Sequence, residues 1–338
     1  MPGRFDRLRR LPQIGDQGGE RLTRARIAVV GCGALGSHLS ETLARCGVSS
    51  IYLIDRDVVE PSNLDRQTLY DEEDARCARP KAVAAAEKLR KICSGGNFQP
   101  FVADLDSTNA AELLSGAELI LDGTDNFATR FLLNDFSVAR GVPWIHAGVV
   151  GVSGCVLPVL PRRGPCYRCY LPEEPPPGAA ETCDVAGVLP TAVAAIAALA
   201  ATSAIAILVG RENEVATRLA TVDIWRGRMG SIAVPRREDC SVCVRGQYDY
   251  LSGLKGTART RLCGQRAVQV RPLGIARPDL AELAGRLAGR GLAEHNAYMV
   301  RFEAEGKTVS LFSDGRAIIH GTDDPAAARS LYARYVGL

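Results

Sequence analysis

The sequence has almost no net charge: +3 at pH 7 over 338 residues. That is too small an excess to suggest a nucleic acid or an anionic membrane as partner. Its first residues, Met1-Pro2-Gly3-Arg4-Phe5-Asp6-Arg7, lack the apolar core of an export signal. Without export, eleven cysteines argue against a disulfide framework and for metal ligation or thiol chemistry in the cytoplasm. There is no internal repeat. From Val185 to Gly210 there is no charge at all, and length alone would allow a membrane crossing. The run is dominated by alanine, is interrupted by Pro190, Thr191, Thr202 and Ser203, and lacks an aromatic belt or flanking basic cluster. It therefore reads as a buried helix, in a core or at a subunit interface, and no membrane is expected.

What is present alternates. The apolar run at 27–31 leads straight into Gly31-Cys32-Gly33-Ala34-Leu35-Gly36, with a helix expected to about Cys46. Strands are expected at 50–55, 98–103, 118–122 and 143–148. Helices are expected at 81–92, behind Pro80, and at 108–115 and 127–140. This rhythm predicts an α/β fold with a Rossmann-like, doubly wound, mostly parallel sheet. After residue 148 glycines among valines suggest strands with turns or bulges, and strands near 219–225 and 230–235 point to an antiparallel second half. Pro172-Glu173-Glu174-Pro175-Pro176-Pro177-Gly178 reads as a solvated loop. A linker near 250–256 precedes a small α+β module. The expected organisation is an adenylation-sized domain over 1–250, with a nucleotide-binding half 1–148 and a second half 149–250, then a module over 256–338. That module has strands near 267–271, 298–303, 307–312 and 316–320 and helices near 279–290 and 325–336.

Gly31-x-Gly33-x-x-Gly36 fits a dinucleotide fingerprint: a tight turn, a close approach to phosphate, and close helix packing, with the helix N-terminus offered to an anion. Asp55, at the end of the second strand, would bind ribose hydroxyls. A dehydrogenase is the base-rate reading of these features. Arg66 and Lys81 do not belong to it. Two cations at the strand ends suit a triphosphate whose leaving pyrophosphate gathers charge, and Asn63 and Gln67 could bind phosphate oxygens or fix the arginine. In Leu121-Asp122-Gly123-Thr124-Asp125-Asn126, Asp125 is the better Mg²⁺ candidate, because Asp122 would cap the turn. The plainer alternative is that these acids cap the following helix.

Cys166-Tyr167-Arg168-Cys169 and Cys240-Ser241-Val242-Cys243 are two matched C-x-x-C pairs. Four thiolates make a closed, structural Zn²⁺ site that staples distant segments. Cys183, where the proline-rich loop ends, could be reached by a partner. No His–acid pair stands out as a proton shuttle.

Taken in order, GCGALG, NLDRQ with Lys81, DGTDNF with Arg130, CYRC, TCDVAGVLP and CSVC resemble the ThiF/MoeB adenylyltransferases, relatives of the ubiquitin-activating enzymes. The resemblance covers about residues 4–245. It implies adenylylation, with MgATP, of the C-terminal glycine carboxylate of a ubiquitin-fold sulfur carrier ending in Gly-Gly, in thiamine or molybdenum cofactor synthesis. Gly33 and Ala34 then face the phosphates and Asp55 the ribose. Asn63, Arg66 and Lys81 match the phosphate binders, and Asp125 and Asn126 the metal and nucleotide position. Arg7 matches an arginine that reaches into the partner subunit's ATP site, implying a homodimer. Cys183 matches a cysteine that in some members links to the carrier, and a cysteine desulfurase is a candidate further partner. Asp65 stands where the family usually has Gln, and the last module lies outside the resemblance. The competing readings are an NAD(P)-dependent oxidoreductase and a non-catalytic, carrier-binding scaffold.

Overall fold

Strand β1 (Arg26–Val30) sets the layering of the larger unit. Its residues alternate between two cores. Ile27 and Val29 join a cluster on one side of the sheet, Ala28 and Val30 a cluster on the other, and all four are buried. A strand covered on both faces has no polar alternation, which is why this run reads as uniformly apolar. The computed structural model describes residues 3–176, 186–256, 266–270, 278–288 and 293–337. Chain contacts divide it into two units, Met1–Thr257 and Ala258–Leu338.

In the larger unit the strands after β1 are β2 (Ser50–Asp55), β3 (Asn97–Val102), β4 (Leu119–Asp122), β5 (Trp144–Val150), β6 (Ser153–Val159), β7 (Leu219–Asp223) and β8 (Arg228–Ile232). They form one sheet in the order β3-β2-β1-β4-β5-β6-β7-β8. Pairing is parallel from β3 to β5 and antiparallel from β5 to β8. The expected α/β sheet, parallel and then antiparallel, is present.

Helices α1 (Asp6–Arg9) and α2 (Gly15–Arg24) open the chain. Neither was expected; within α2, Gly18-Gly19 disfavours a helix. Packing explains the glycines: a Cβ at Gly18 would lie 3.2 Å from Val209 Cγ1, and one at Gly19 would lie 2.7 Å from Arg9 Nε. Next come α3 (Ala34–Arg45), α4 (Glu72–Arg76), α5 (Lys81–Ile92), α6 (Ala110–Leu113), α7 (Phe127–Arg140) and α8 (Tyr167–Tyr170). The helix expected at 108–115 is thus a single turn.

The apolar run forms α9 (Pro190–Leu208), the one described helix long and apolar enough to cross a membrane. One face (Val193, Ile196, Ala197, Ala200, Ala204) is buried in the core cluster that also holds α3 and β5 residues. Alanine lets the helix lie close to the sheet, and Gly154 on β6 completes the fit: a Cβ there would be 2.6 Å from Ile196 Cγ1. That glycine sits inside a strand and marks a close approach, not a turn.

The smaller unit has its own sheet, β10-β11-β12-β13-β9, antiparallel throughout. Its strands are β9 (Ala267–Val270), β10 (Ala293–His295), β11 (Met299–Ala304), β12 (Lys307–Phe312) and β13 (Ala317–His320), with helices α10 (Leu280–Ala288) and α11 (Pro325–Tyr335). Leu283, Leu287, Leu331 and Tyr332 pack with Val300, Phe302, Val309 and Leu311. The three-residue β10 was not expected.

Candidate functional site

The site lies where the parallel strands end. Gly31, at the end of β1, has φ +84°, and a Cβ there would strike the Gly123 carbonyl at 2.6 Å. A Cβ at Gly36 would sit 1.8 Å from the Gly31 oxygen. Both glycines are demanded by protein packing. Gly33 is not: a Cβ there would meet nothing nearer than Gln67 Nε2 at 3.9 Å. The open space beside Gly33 lies at the start of α3, whose first N–H groups have no side-chain cap. Such a helix end is suited to an anion.

Asp55 is mostly turned inward. It is 8% exposed, and its two carboxylate oxygens accept from Cys32 N at 2.6 Å and Asp57 N at 2.7 Å. Burial pushes its pKa up to about 6, against the pull of Lys81. Its first role is therefore to brace the glycine loop. Asp57, two residues on, is 40% exposed. Lys81 Nζ stands 3.7 Å from Asp57 Oδ2. The Lys81 backbone N–H donates to the Asp57 carbonyl at 2.9 Å, so the 57–60 segment fixes the start of α5. Burial works against the Lys81 charge, but Asp57, Asp55, Asp125 and Glu60 outweigh it and raise its pKa. Arg56 sits in the same group, 3.2 Å from Asp104 and 3.6 Å from Asp57. Tyr70 is buried and donates to the Cys32 carbonyl at 2.7 Å and the Lys81 carbonyl at 3.2 Å, tying the glycine loop to the lysine.

The NLDRQ segment divides differently from expectation. Asn63 closes a 3₁₀ turn (Pro61–Asn63) by accepting from Glu60 N at 3.1 Å. Arg66 donates to the Ser62 carbonyl at 2.6 Å and to Asp65 at 2.7 Å. Asp65, the residue that departs from the family pattern, thus holds the arginine, a part that Asn63 and Gln67 were expected to play unless they bind phosphate oxygens. Gln67 is buried, and its Oε1 has no partner among the described residues.

Asp122 does cap its turn: Oδ1 accepts from Thr124 N at 2.9 Å and Thr124 Oγ1 at 2.7 Å. Its Oδ2 accepts from Arg130 Nε at 3.2 Å and faces His146 Nδ1 at 2.8 Å. No His–acid pair stood out in the sequence, yet the structure makes one. The partners lie 24 residues apart and meet only because β4 and β5 run side by side. Although burial opposes its charge, Arg130 and His146 hold the Asp122 pKa below the usual range. Asn126 caps α7 by accepting from Thr129 N at 2.9 Å, which leaves only its amide N–H groups for a ligand. Asp125 is exposed beside these groups. Arg7, on α1, is exposed and has no ion pair among the described residues. Cys183 lies outside the described residues.

The four paired cysteines come together. Cys166 Sγ is 4.0 Å from Cys169 Sγ and 3.6 Å from Cys240 Sγ, and Cys169 Sγ is 3.6 Å from Cys243 Sγ. All four lie within 4.8 Å of one another. A tetrahedron with Zn–S bonds of about 2.3 Å has edges of about 3.8 Å, so the four sulfurs fit one Zn²⁺ with no open position.

Known proteins share both sequence and fold. The ThiF family model matches residues 5–242. A Bacillus subtilis sulfur carrier protein ThiS adenylyltransferase is 38% identical over 340 residues, covering 100% of each chain. A Thermus thermophilus sulfur carrier protein adenylyltransferase is 37% identical over 245 residues, 71% of this chain and 90% of the relative. A Haloferax volcanii SAMP-activating enzyme E1 is 33% identical over 251 residues, 74% and 92% of the two chains. Among solved structures, E. coli MccB with ATP superposes with a TM-score of 0.62 at 23% identity, covering 71% of this chain and 74% of that one. At that identity it speaks to the fold alone.

Proposed function

The chain belongs to the ThiF family, and from that premise we propose that it adenylylates the C-terminal glycine carboxylate of a ubiquitin-fold sulfur carrier, using ATP and releasing pyrophosphate. A ThiS-type carrier is favoured because the Bacillus relative aligns over its full length, C-terminal module included. Thiamine synthesis is then the first pathway and molybdenum cofactor synthesis the second. The observation that carries the reading is a mostly buried Lys81 among Asp57, Asp55 and Asp125, in a chain whose Gly33 would carry a Cβ with no protein atom nearer than 3.9 Å. Hydride transfer has no use for that cation.

In this reading the α3 N-terminus and the Gly33 backbone receive phosphate oxygens. Asp57 holds the ribose, with Asp55 behind it bracing the Cys32 N–H. Lys81 and Arg66 offset charge on the departing pyrophosphate. Asp125, an exposed carboxylate at the mouth, would hold Mg²⁺, which takes one or two carboxylates along with phosphate oxygens and neutralises them. The carrier carboxylate is already an anion, so adenylylation itself needs positioning and charge stabilisation and no general base.

Further parts of the reading concern assembly. The outward face of α9, with Ala194, Ala195, Leu199 and Ala206 only partly buried, supports a homodimer. Arg7 would then reach the partner's nucleotide. A cysteine desulfurase would supply sulfur, and the reaction would run in the cytoplasm. The test is ATP–pyrophosphate exchange with ThiS-type and MoaD-type carriers. Exchange that needs a free Gly-Gly terminus is expected. Exchange with neither carrier would remove the proposal.

A further inference from the structure

The adenylylation reading gives His146 no task, yet the side chain is 3% exposed and firmly held. Its ring lies 4.7 Å from Tyr167, edge-on, and 6.0 Å from Trp144 between centroids. Burial lowers its pKa in spite of Asp122, so the imidazole is neutral at pH 7. Asp122 is kept ionised by Arg130 and His146 in spite of its own burial. A neutral ring can bond a carboxylate only as a donor, which puts the proton on Nδ1. That bond, at 2.8 Å to Asp122 Oδ2, is the one hydrogen bond of His146 among the described residues.

Asp122 has wider connections. At the end of β4 it accepts four hydrogen bonds, from Thr124 N and Thr124 Oγ1 on Oδ1 and from Arg130 Nε and His146 Nδ1 on Oδ2. Arg130 in turn donates from Nη2 to the Thr124 carbonyl at 2.6 Å. Both backbone groups of Thr124 are thereby clamped, the N–H by the acid and the carbonyl by the arginine. On the other side, Asn126 is fixed as the cap of α7 by accepting from Thr129 N at 2.9 Å and Thr129 Oγ1 at 2.8 Å. Asp125 stands between two anchored residues, with its own side chain exposed. The last torsion of an aspartate is soft. A donor on the neighbouring strand β5 stops the Asp122 carboxylate from turning and loosening this clamp.

We propose that His146 is a positioning residue of the nucleotide site: it fixes Asp122, and through the Asp122–Arg130 clamp on Thr124 it places Asp125 for the metal ion of the nucleotide. The inference rests on the adenylylation reading, which assigns Asp125 to Mg²⁺. Partners behind a metal-binding group set its aim and are costly to lose. His146 acts through Asp122 and takes no proton in the reaction.

Two substitutions separate shape from hydrogen bonding. His146→Leu fills much of the ring's space and removes the donor. His146→Asn leaves a gap, but its Nδ2 stands as many bonds from Cα as the lost Nδ1 and can donate to Asp122. MgATP binding to the full chain is measured by calorimetry, and backbone hydrogen exchange is followed on the peptide that holds Thr124 and Thr129. His146→Leu should bind MgATP roughly tenfold more weakly than the unaltered protein, and its peptide should exchange faster. His146→Asn should lie closer to the unaltered protein on both readouts. The reverse order, with Leu tolerated and Asn impaired, would mean that the ring only fills space, and it overturns the proposal. Unchanged MgATP affinity in both variants does the same. Should His146→Leu not fold, His146→Asn still decides: retained affinity with a protected peptide is expected, and loss of both overturns the proposal. An unaltered protein that binds no MgATP would instead overturn the adenylylation reading beneath it.

Discussion

The two halves of the large sheet are held together by different means. In the parallel half, β1, β2 and β4 are covered on both faces by apolar side chains, and the polar residues collect at the strand ends. In the antiparallel half, cover is thinner. Strand β8 is exposed along its whole length, and Trp225, at the turn before it, is 76% exposed. There the chain relies on four sulfurs, three of them part of the core on that side of the sheet. The difference is that apolar cover spans the nucleotide half, whereas the second half also brings together four cysteines able to hold a metal ion.

Removing the metal should break that contrast most sharply. With a strong chelator, or in Cys240→Ser, the antiparallel half should lose more than about 4 kcal/mol, since structural zinc contributes folding free energy directly. For a unit of this size that is roughly 10 °C in melting temperature. Differential scanning fluorimetry and a zinc assay on the purified protein test this. A zinc-free preparation that melts at the same temperature would end the idea of a metal staple.

The next effect is on rate. Lys81→Ala removes the buried cation from a group of acids that includes Asp55, Asp57 and Asp125. Pyrophosphate exchange should fall by roughly 100- to 1,000-fold, the usual cost of deleting one charge-stabilising donor. A variant that retains most of its exchange would move the triphosphate elsewhere.

Gly33→Ala and Gly36→Ala sharpen the comparison within the glycine loop. At Gly36 a Cβ would collide with the Gly31 oxygen at 1.8 Å, so that variant should fold poorly. At Gly33 the nearest protein atom is 3.9 Å away. Gly33→Ala should therefore melt near the parent temperature while its KM for ATP rises about tenfold, a loss of ~1.4 kcal/mol. An unchanged KM would mean that nothing approaches this glycine.

How far the sequence could be read follows from the range of the interactions. The glycine loop and the C-x-x-C pairs are local patterns, and both lie where expected. Asp55 was correctly placed at a strand end. Its commitment to Cys32 N and Asp57 N could not be read, because it depends on how the loop closes. The more exposed Asp57 had been visible all along in Asp55-Arg56-Asp57. The His146–Asp122 pair had no local signal, since neighbouring parallel strands create it. Helix α2 was hidden because two glycines disfavour a helix in isolation and are required in context by Val209 and Arg9.

The smallest effect separates two acids that burial treats alike. Burial pushes Asp55 and Asp135 each to about pH 6. Asp135 stands on α7, where Oδ2 accepts from Tyr250 N at 2.9 Å and Leu251 N at 3.4 Å, while Oδ1 is buried without a partner. A carboxyl whose folded pKa is raised binds its proton more tightly when folded. Stability is therefore present below the unfolded value, near pH 4, and is lost as pH rises through about 6. The loss is at most about 3 kcal/mol for a two-unit gap, and roughly 1 kcal/mol is expected once relaxation and the nearby Arg168 are allowed for. Asp135→Asn keeps an acceptor for both backbone N–H groups and removes the charge. It should raise the melting temperature by 2–4 °C, roughly, at pH 7.5, by about half as much at pH 5, and change it little at about pH 4. Asp55→Asn offers the same relief, but at the nucleotide mouth, where exchange activity should fall. If Asp135→Asn lowers the melting temperature at pH 7.5, the attraction to Arg168 outweighs burial, and this acid is a partner in the staple and not a liability behind it.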